Sequence, residues 1–198
     1  MRFILASASP RRKELLEKMG LEFEVVPALL EEIVHTKRPQ DVVMELSRQK
    51  AEEVATKRDG KTAPELIIGA DTVVVYEESI LGKPKDEEEA YQMLSILQGN
   101  RHKVYTGVTL VLKEENHTKE SCFYEETEVC MCPMSEMERL WYIGTKEPFD
   151  KAGGYGIQGR CAVFIKEIHG DYNNVVGLPV ARIYQEFLKM GIDIYQKP

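Results

Sequence analysis

The chain has 198 residues, 43% of them hydrophobic and 30% charged, which suits one globular domain able to bury a full core. Its formal net charge of -7 argues against a broad surface for nucleic acid or anionic membrane, so any basic cluster has to be local. No apolar run approaches membrane-spanning length and the first residues read as a strand rather than a signal peptide. The expectation is a cytoplasmic protein with a single domain over residues 1–198 and no nucleic-acid or membrane partner.

Phe3 to Ala6 is a short unbroken apolar run of the kind that forms a strand covered on both faces. Ser7, Ala8 and Ser9 turn the chain. Ser9 suits an N-cap and Pro10 a first helical position, while Leu15, Leu16 and Met19 supply an apolar face and Gly20 a stop. The charge is out of place, because this helix opens with Arg11, Arg12 and Lys13 where the dipole favours acids. An anion held between Ser7, Ser9, the helix N-terminus and the arginines would remove the conflict, with phosphate the obvious candidate. A solvated basic turn is the alternative.

A short strand follows at 22–26, then an irregular segment with Glu31 and Glu32, and Pro39 opens a helix to about Arg58. Lys50 lies beside its apolar stripe, where a lysine snorkels to water unless phosphate is near. Glu65 to Tyr76 is the most apolar stretch and reads as the central strand. It carries Asp71 among apolar neighbours. A buried carboxylate there should meet a cation, a metal, a set of donors or an open cleft, or else bond locally to backbone at a strand end. Gly69 within this strand marks close approach by a ligand or by another backbone.

Residues 77–79 turn the chain and Ile80 to Pro84 returns as a hairpin arm carrying Lys83. Asp86 with Glu89 caps a helix ending at Gly99, and Ser135 with Glu138 caps another through Trp141 and Ile143. Between them Arg101–Lys113 and Cys122–Met131 form an antiparallel pair. Gly153, Gly154, Gly156 and Gly159 make a permissive loop in which Gln158 offers a donor and an acceptor to a nucleobase edge. Ala162–Ile165 reads as a last core strand, 170–179 as a loop, and Val180, Ile183, Tyr184, Phe187 and Leu188 as the core face of a C-terminal helix. The four cysteines lack paired zinc spacing; Cys130 and Cys132, two apart in a strand-like run, share one face and read as small buried thiols.

Six motifs, in order, carry a resemblance: Leu-Ala-Ser-x-Ser-Pro-Arg-Arg (5–12), Gly-Ala-Asp-Thr-Val-Val (69–74), Leu-Gly-Lys-Pro (81–84), Lys-Glu-Pro-Phe-Asp-Lys-Ala-Gly (146–153), Tyr-Gly-Ile-Gln-Gly (155–159) and Val-Val-Gly-Leu-Pro (175–179). Together they resemble the Maf family of nucleoside triphosphate pyrophosphatases over essentially the whole chain. The resemblance implies an α/β fold with a central mixed, twisted sheet flanked by helices, two lobes around a cleft, similar to the inosine triphosphate pyrophosphatases. It implies hydrolysis between the α and β phosphates, dependent on magnesium or manganese. Ser7, Arg12, Lys50 and Lys83 match the family's phosphate-binding positions, and Glu32 and Asp71 its acidic pair, Asp71 being the catalytic one. Glu32 is preferred over Glu31 by register. Arg11, Thr72 and Gln158 match the marks of the branch acting on dTTP and UTP. A homodimer is compatible with the resemblance. A purine-directed pyrophosphatase of similar architecture and a non-catalytic nucleotide-binding regulator of cell division are the competing readings.

Overall fold

The computed structural model describes residues 1–195; residues 196–198, the last three of the expected domain, lie outside the described residues. Strand β1 (Arg2–Leu5) leads through a turn into helix α1 (Pro10–Lys18), after which Gly20, at φ 75°, returns the chain to β2 (Phe23–Val25). β2 lies parallel to β1, and α2 (Pro39–Thr56) then delivers β3 (Glu65–Tyr76) parallel to the other side of β1. Parallel neighbours need such crossovers, so the two helices follow from the strand order.

Glu77, at φ 53°, and Glu78 turn β3 into the short antiparallel β4 (Ser79–Leu81). Helix α3 (Glu87–Leu97), β5 (Arg101–Glu114), β6 (His117–Met131), helix α4 (Glu136–Gly144), β7 (Ile165–His169), and helices α5 (Tyr172–Val176) and α6 (Val180–Lys189) complete the chain. The strands hydrogen-bond in the order β2-β1-β3-β5-β6-β7, with β4 beside β3. The result is a mixed sheet flanked by helices.

Backbone packing divides the chain into two units, and β3, β5 and β6 pass through both. The first holds Met1–Asp71, Thr106–Glu125 and the chain from Gly177. Its core packs Ile4 and Ala6 of the β1 segment, Ile67 of β3 and Val111 of β5 against Ala51, Val54 and Ala55 of α2. Helix α2 lies close on the sheet because two strand positions beneath it have no side chain. A Cβ on Gly69 would stand 2.3 Å from the carbonyl oxygen of Ser47, and one on Gly107 2.2 Å from that of Val43. The close approach at Gly69 is thus by another backbone. Helix α6 buries Ile183 and Phe187, with its C-cap Met190 continuing the stripe at helical spacing, whereas Leu188 falls off it and is exposed, contrary to the expected core face.

The second unit holds Thr72–Tyr105 and Glu126–Val176. Its core gathers Val74, Ala90, Leu94, Leu97, Val104, Val129 and Tyr142. The caps read from the sequence are present: Asp86 accepts from Glu89 N, and Ser135 and Glu138 form a reciprocal box at α4. Two expectations fail here. Ala162–Ile165 is not a strand, because Glu147 Oε2 accepts from Arg160 N at 2.9 Å and starts a 3-10 turn over Arg160–Phe164; β7 begins only at Ile165. The expected loop over 170–179 contains α5, whose start is fixed by Asp171 Oδ1 accepting from Asn173 N at 2.7 Å.

Candidate active site

The turn after β1 puts Ser7 and the start of α1 together. Ser7 is buried, and its Oγ accepts from Ser9 N at 3.2 Å and from an Arg12 guanidinium nitrogen at 3.1 Å. Arg12 Nε donates to the Gly177 carbonyl at 2.9 Å, so the side chain is held at two points rather than trailing into water. Ser9 stands at the N-cap with Pro10 next, yet its hydroxyl makes no cap bond. The first turn of α1 has no acidic residue.

The missing negative charge comes from elsewhere in the same unit. Burial lowers the Arg12 pKa; the Asp71 carboxylate opposes that shift, Arg11 adds to it, and Glu32 opposes it again. Arginine remains a cation under any of these influences. Asp71 in turn accepts from Lys50 Nζ at 2.5 Å, and Glu32 Oε1 lies 2.8 Å from the same ammonium. Lys50 and Asp71 are only 17% and 14% exposed, so this pair is largely withdrawn from water, while Glu32 is half-exposed. Gly69 and Gly107 explain the contact: they let α2 settle onto the sheet, and Lys50 sits one residue before Ala51, whose backbone N would be 2.8 Å from a Gly69 Cβ. The lysine does not snorkel to solvent.

Five of the residues singled out in the sequence, Ser7, Arg12, Glu32, Lys50 and Asp71, therefore form one charged cluster, with Arg11 beside Arg12 in the same helical turn. The other three, Thr72, Lys83 and Gln158, belong to the second unit. Thr72 directly follows Asp71 in β3, Lys83 is exposed after β4, and Gln158 is exposed in the glycine loop. That loop has its own scaffold. Gly153, at φ 68°, donates to the Gly82 carbonyl at 2.9 Å, and Lys151 Nζ donates to Glu147 O and Asp150 Oδ1 at 2.7 and 2.5 Å. Tyr155, at its base, is buried with its hydroxyl 2.7 Å from His102 Nε2. No local signal in the sequence marks the Gly177 carbonyl as an anchor for Arg12, 165 residues away.

The resemblance implies a divalent ion. Glu32 and Asp71 converge on one positive centre, Lys50 Nζ, and hard carboxylate oxygens suit magnesium or manganese. Among the described residues no group of three or more His, Cys, Asp or Glu side chains converges on a point. The donor set fits an ion that keeps most of its shell for water and phosphate oxygens, rather than a closed protein cage.

A mixed sheet flanked by helices, with Lys50 paired to two carboxylates and Arg12 within their field beside a helix N-terminus, defines an α/β protein with a compact charged centre. A family profile described as Maf-like protein matches residues 2–190. The chain belongs to that family. Among its relatives, the dTTP/UTP pyrophosphatase of Agathobacter rectalis is 60% identical, over 96% of this chain and 98% of that protein. The dTTP/UTP pyrophosphatase of Carboxydothermus hydrogenoformans is 51% identical, over 96% and 100%. The structure of the Staphylococcus aureus Ham1 protein is similar at 13% identity with a TM-score of 0.49, over 96% of this chain and 100% of that one.

Proposed function

We propose that this protein hydrolyses dTTP and UTP to the nucleoside monophosphate and pyrophosphate. The observation that carries the reading is the Lys50 ammonium held between Asp71 and Glu32, with the Arg12 cation close enough for both carboxylates to favour its charge. A triphosphate brings several negative charges, and attack on its α phosphorus needs them neutralised and the leaving pyrophosphate stabilised. Arg12, fixed by Ser7 and Gly177, is preorganised to bind phosphate oxygens, and Lys50 can exchange a carboxylate for a phosphate.

Asp71 orients the attacking water and takes its proton as oxygen bonds to the α phosphorus and the bond to the bridging oxygen breaks. Glu32 and Asp71 would hold a magnesium or manganese ion, which when bound supplies positive charge to the phosphates and acidifies water. Lys83 is assigned to phosphate, and Arg11, Thr72 and Gln158 to the choice of pyrimidine, Gln158 being exposed with both a donor and an acceptor.

The test is pyrophosphate release from a panel of nucleoside triphosphates, run with magnesium and with manganese. dTTP and UTP should lead. Preference for non-standard purine triphosphates would overturn the substrate assignment, and binding without turnover would overturn the enzymatic one.

A further inference from the structure

Between β2 and α2 the chain runs from 26 to 38 with no helix or strand, and Leu29, Leu30, Ile33 and Val34 are all exposed. Beyond Val26, which packs against the core of the first unit, apolar burial therefore does not fix the path of this strap, although it carries Glu32. One face of α2 does. Glu45, Gln49 and Glu53 stand one helical turn apart, and each grips the strap by its backbone. Glu53 Oε2 accepts from Leu29 N at 2.8 Å and Leu30 N at 3.0 Å. Gln49 Oε1 accepts from Ile33 N at 3.1 Å, while Gln49 Nε2 donates to Ile33 O at 2.5 Å. Glu45 Oε2 accepts from His35 N at 3.0 Å, and its other oxygen meets the His35 ring.

We propose that Gln49 and Glu53, with Glu45 at the far end, are positioning residues that hold the strap so that Glu32 is presented to Lys50 and to a divalent ion. The grips on Leu30 and Ile33 fall on either side of Glu32, so neither neighbour can swing without breaking a bond to α2. Gln49 pairs with both backbone groups of Ile33, as a neighbouring strand would. Glu53 is buried, and Lys57 Nζ engages its second oxygen at 2.9 Å, leaving Oε2 for the two amides. The bond from Lys57, then those from Leu30 and Leu29, hold its carboxyl below the usual range, so it stays an ionised acceptor.

The proposal rests on the assignment of Glu32 as an ion-holding carboxylate, and the test separates the two. Gln49→Ala is chosen because Gln49 is only partly buried and alanine favours helix. In protein free of metal and nucleotide, amide exchange across residues 29–35 should speed up while the rest of α2 keeps its protection. The manganese concentration giving half-maximal pyrophosphate release from dTTP should rise about 10-fold. Turnover at saturating manganese should be retained, which general destabilisation would not give, and Gln49→Glu, which keeps the bond from Ile33 N, should fall between. In a Glu32→Gln background, Gln49→Ala should add nothing.

Unchanged exchange and unchanged manganese dependence in Gln49→Ala, with Glu32→Gln impaired, would overturn the positioning role alone. A Glu32→Gln protein with the parent's manganese dependence would overturn the assignment of Glu32, and the positioning role with it.

Discussion

Asp71 shows how one residue's surroundings decide its chemistry. It sits in the middle of a mostly apolar strand, 14% exposed, and its carboxylate is answered by Lys50 and by the charge of Arg12. Asp71→Asn keeps the shape and removes the proton acceptor, so turnover should fall about 10²- to 10⁴-fold while nucleotide still binds. Steady-state kinetics with a separate binding titration checks this; turnover near that of the parent would sink the general-base role. Lys50→Met takes away the cation that both carboxylates touch. The variant should melt at a lower temperature without metal, and manganese should raise its melting temperature more than the parent's, because a divalent ion then replaces an ammonium. Equal shifts in the two proteins would count against a shared ion site.

At the scale of elements, the seat of α2 matters most. Gly69 and Gly107 have backbone atoms of α2 where a methyl would go, and backbone cannot step aside as a side-chain tip can. Gly69→Ala should therefore cost about 1–3 kcal/mol, read as a lower urea midpoint at unchanged slope. It should also impair turnover, since lifting α2 carries Lys50 away from Asp71; an unchanged midpoint and rate would refute the seat. The bounds of β3 and the caps of α3 and α4 could be read directly, because an apolar run and an N-cap pair are local signals. The segment 162–165 misled because its apolar residues mimic a strand, whereas Glu147, thirteen residues before Arg160, holds the turn that replaces it. Val163 is 74% exposed as a result.

For the molecule as a whole, one buried base sets part of its response to acid. His102 is 3% exposed, its Nε2 is engaged by Tyr155, and among the described residues its Nδ1 has no partner. Burial pushes its pKa from 6.5 down to about 4, with Glu128 opposing weakly. The unfolded chain takes up this proton below about 6.5 and the folded chain only near 4, so the unfolded state binds more protons in between. Stability is then complete above that window and falls as pH drops through it, by about 3 kcal/mol. Urea unfolding of His102→Gln between pH 4.5 and 7 should show a shallower pH slope than the parent, and parallel slopes would contradict the burial of a neutral ring.

The amino-acid order alone determined the family, the central strand β3, the capped helices α3 and α4, and the residue types at the charged centre, because those signals are written in neighbouring positions and in whole motifs. It left Lys50 between snorkelling and binding, Gly69 between a ligand and a backbone, and Asp71 among several partners. Tertiary structure decided these, bringing Lys50 to Asp71 and Glu32, α2 to Gly69, and Gly177 to Arg12. Pairings between residues far apart in the chain depend on how closely helix and sheet can pack, and only the folded backbone sets that distance.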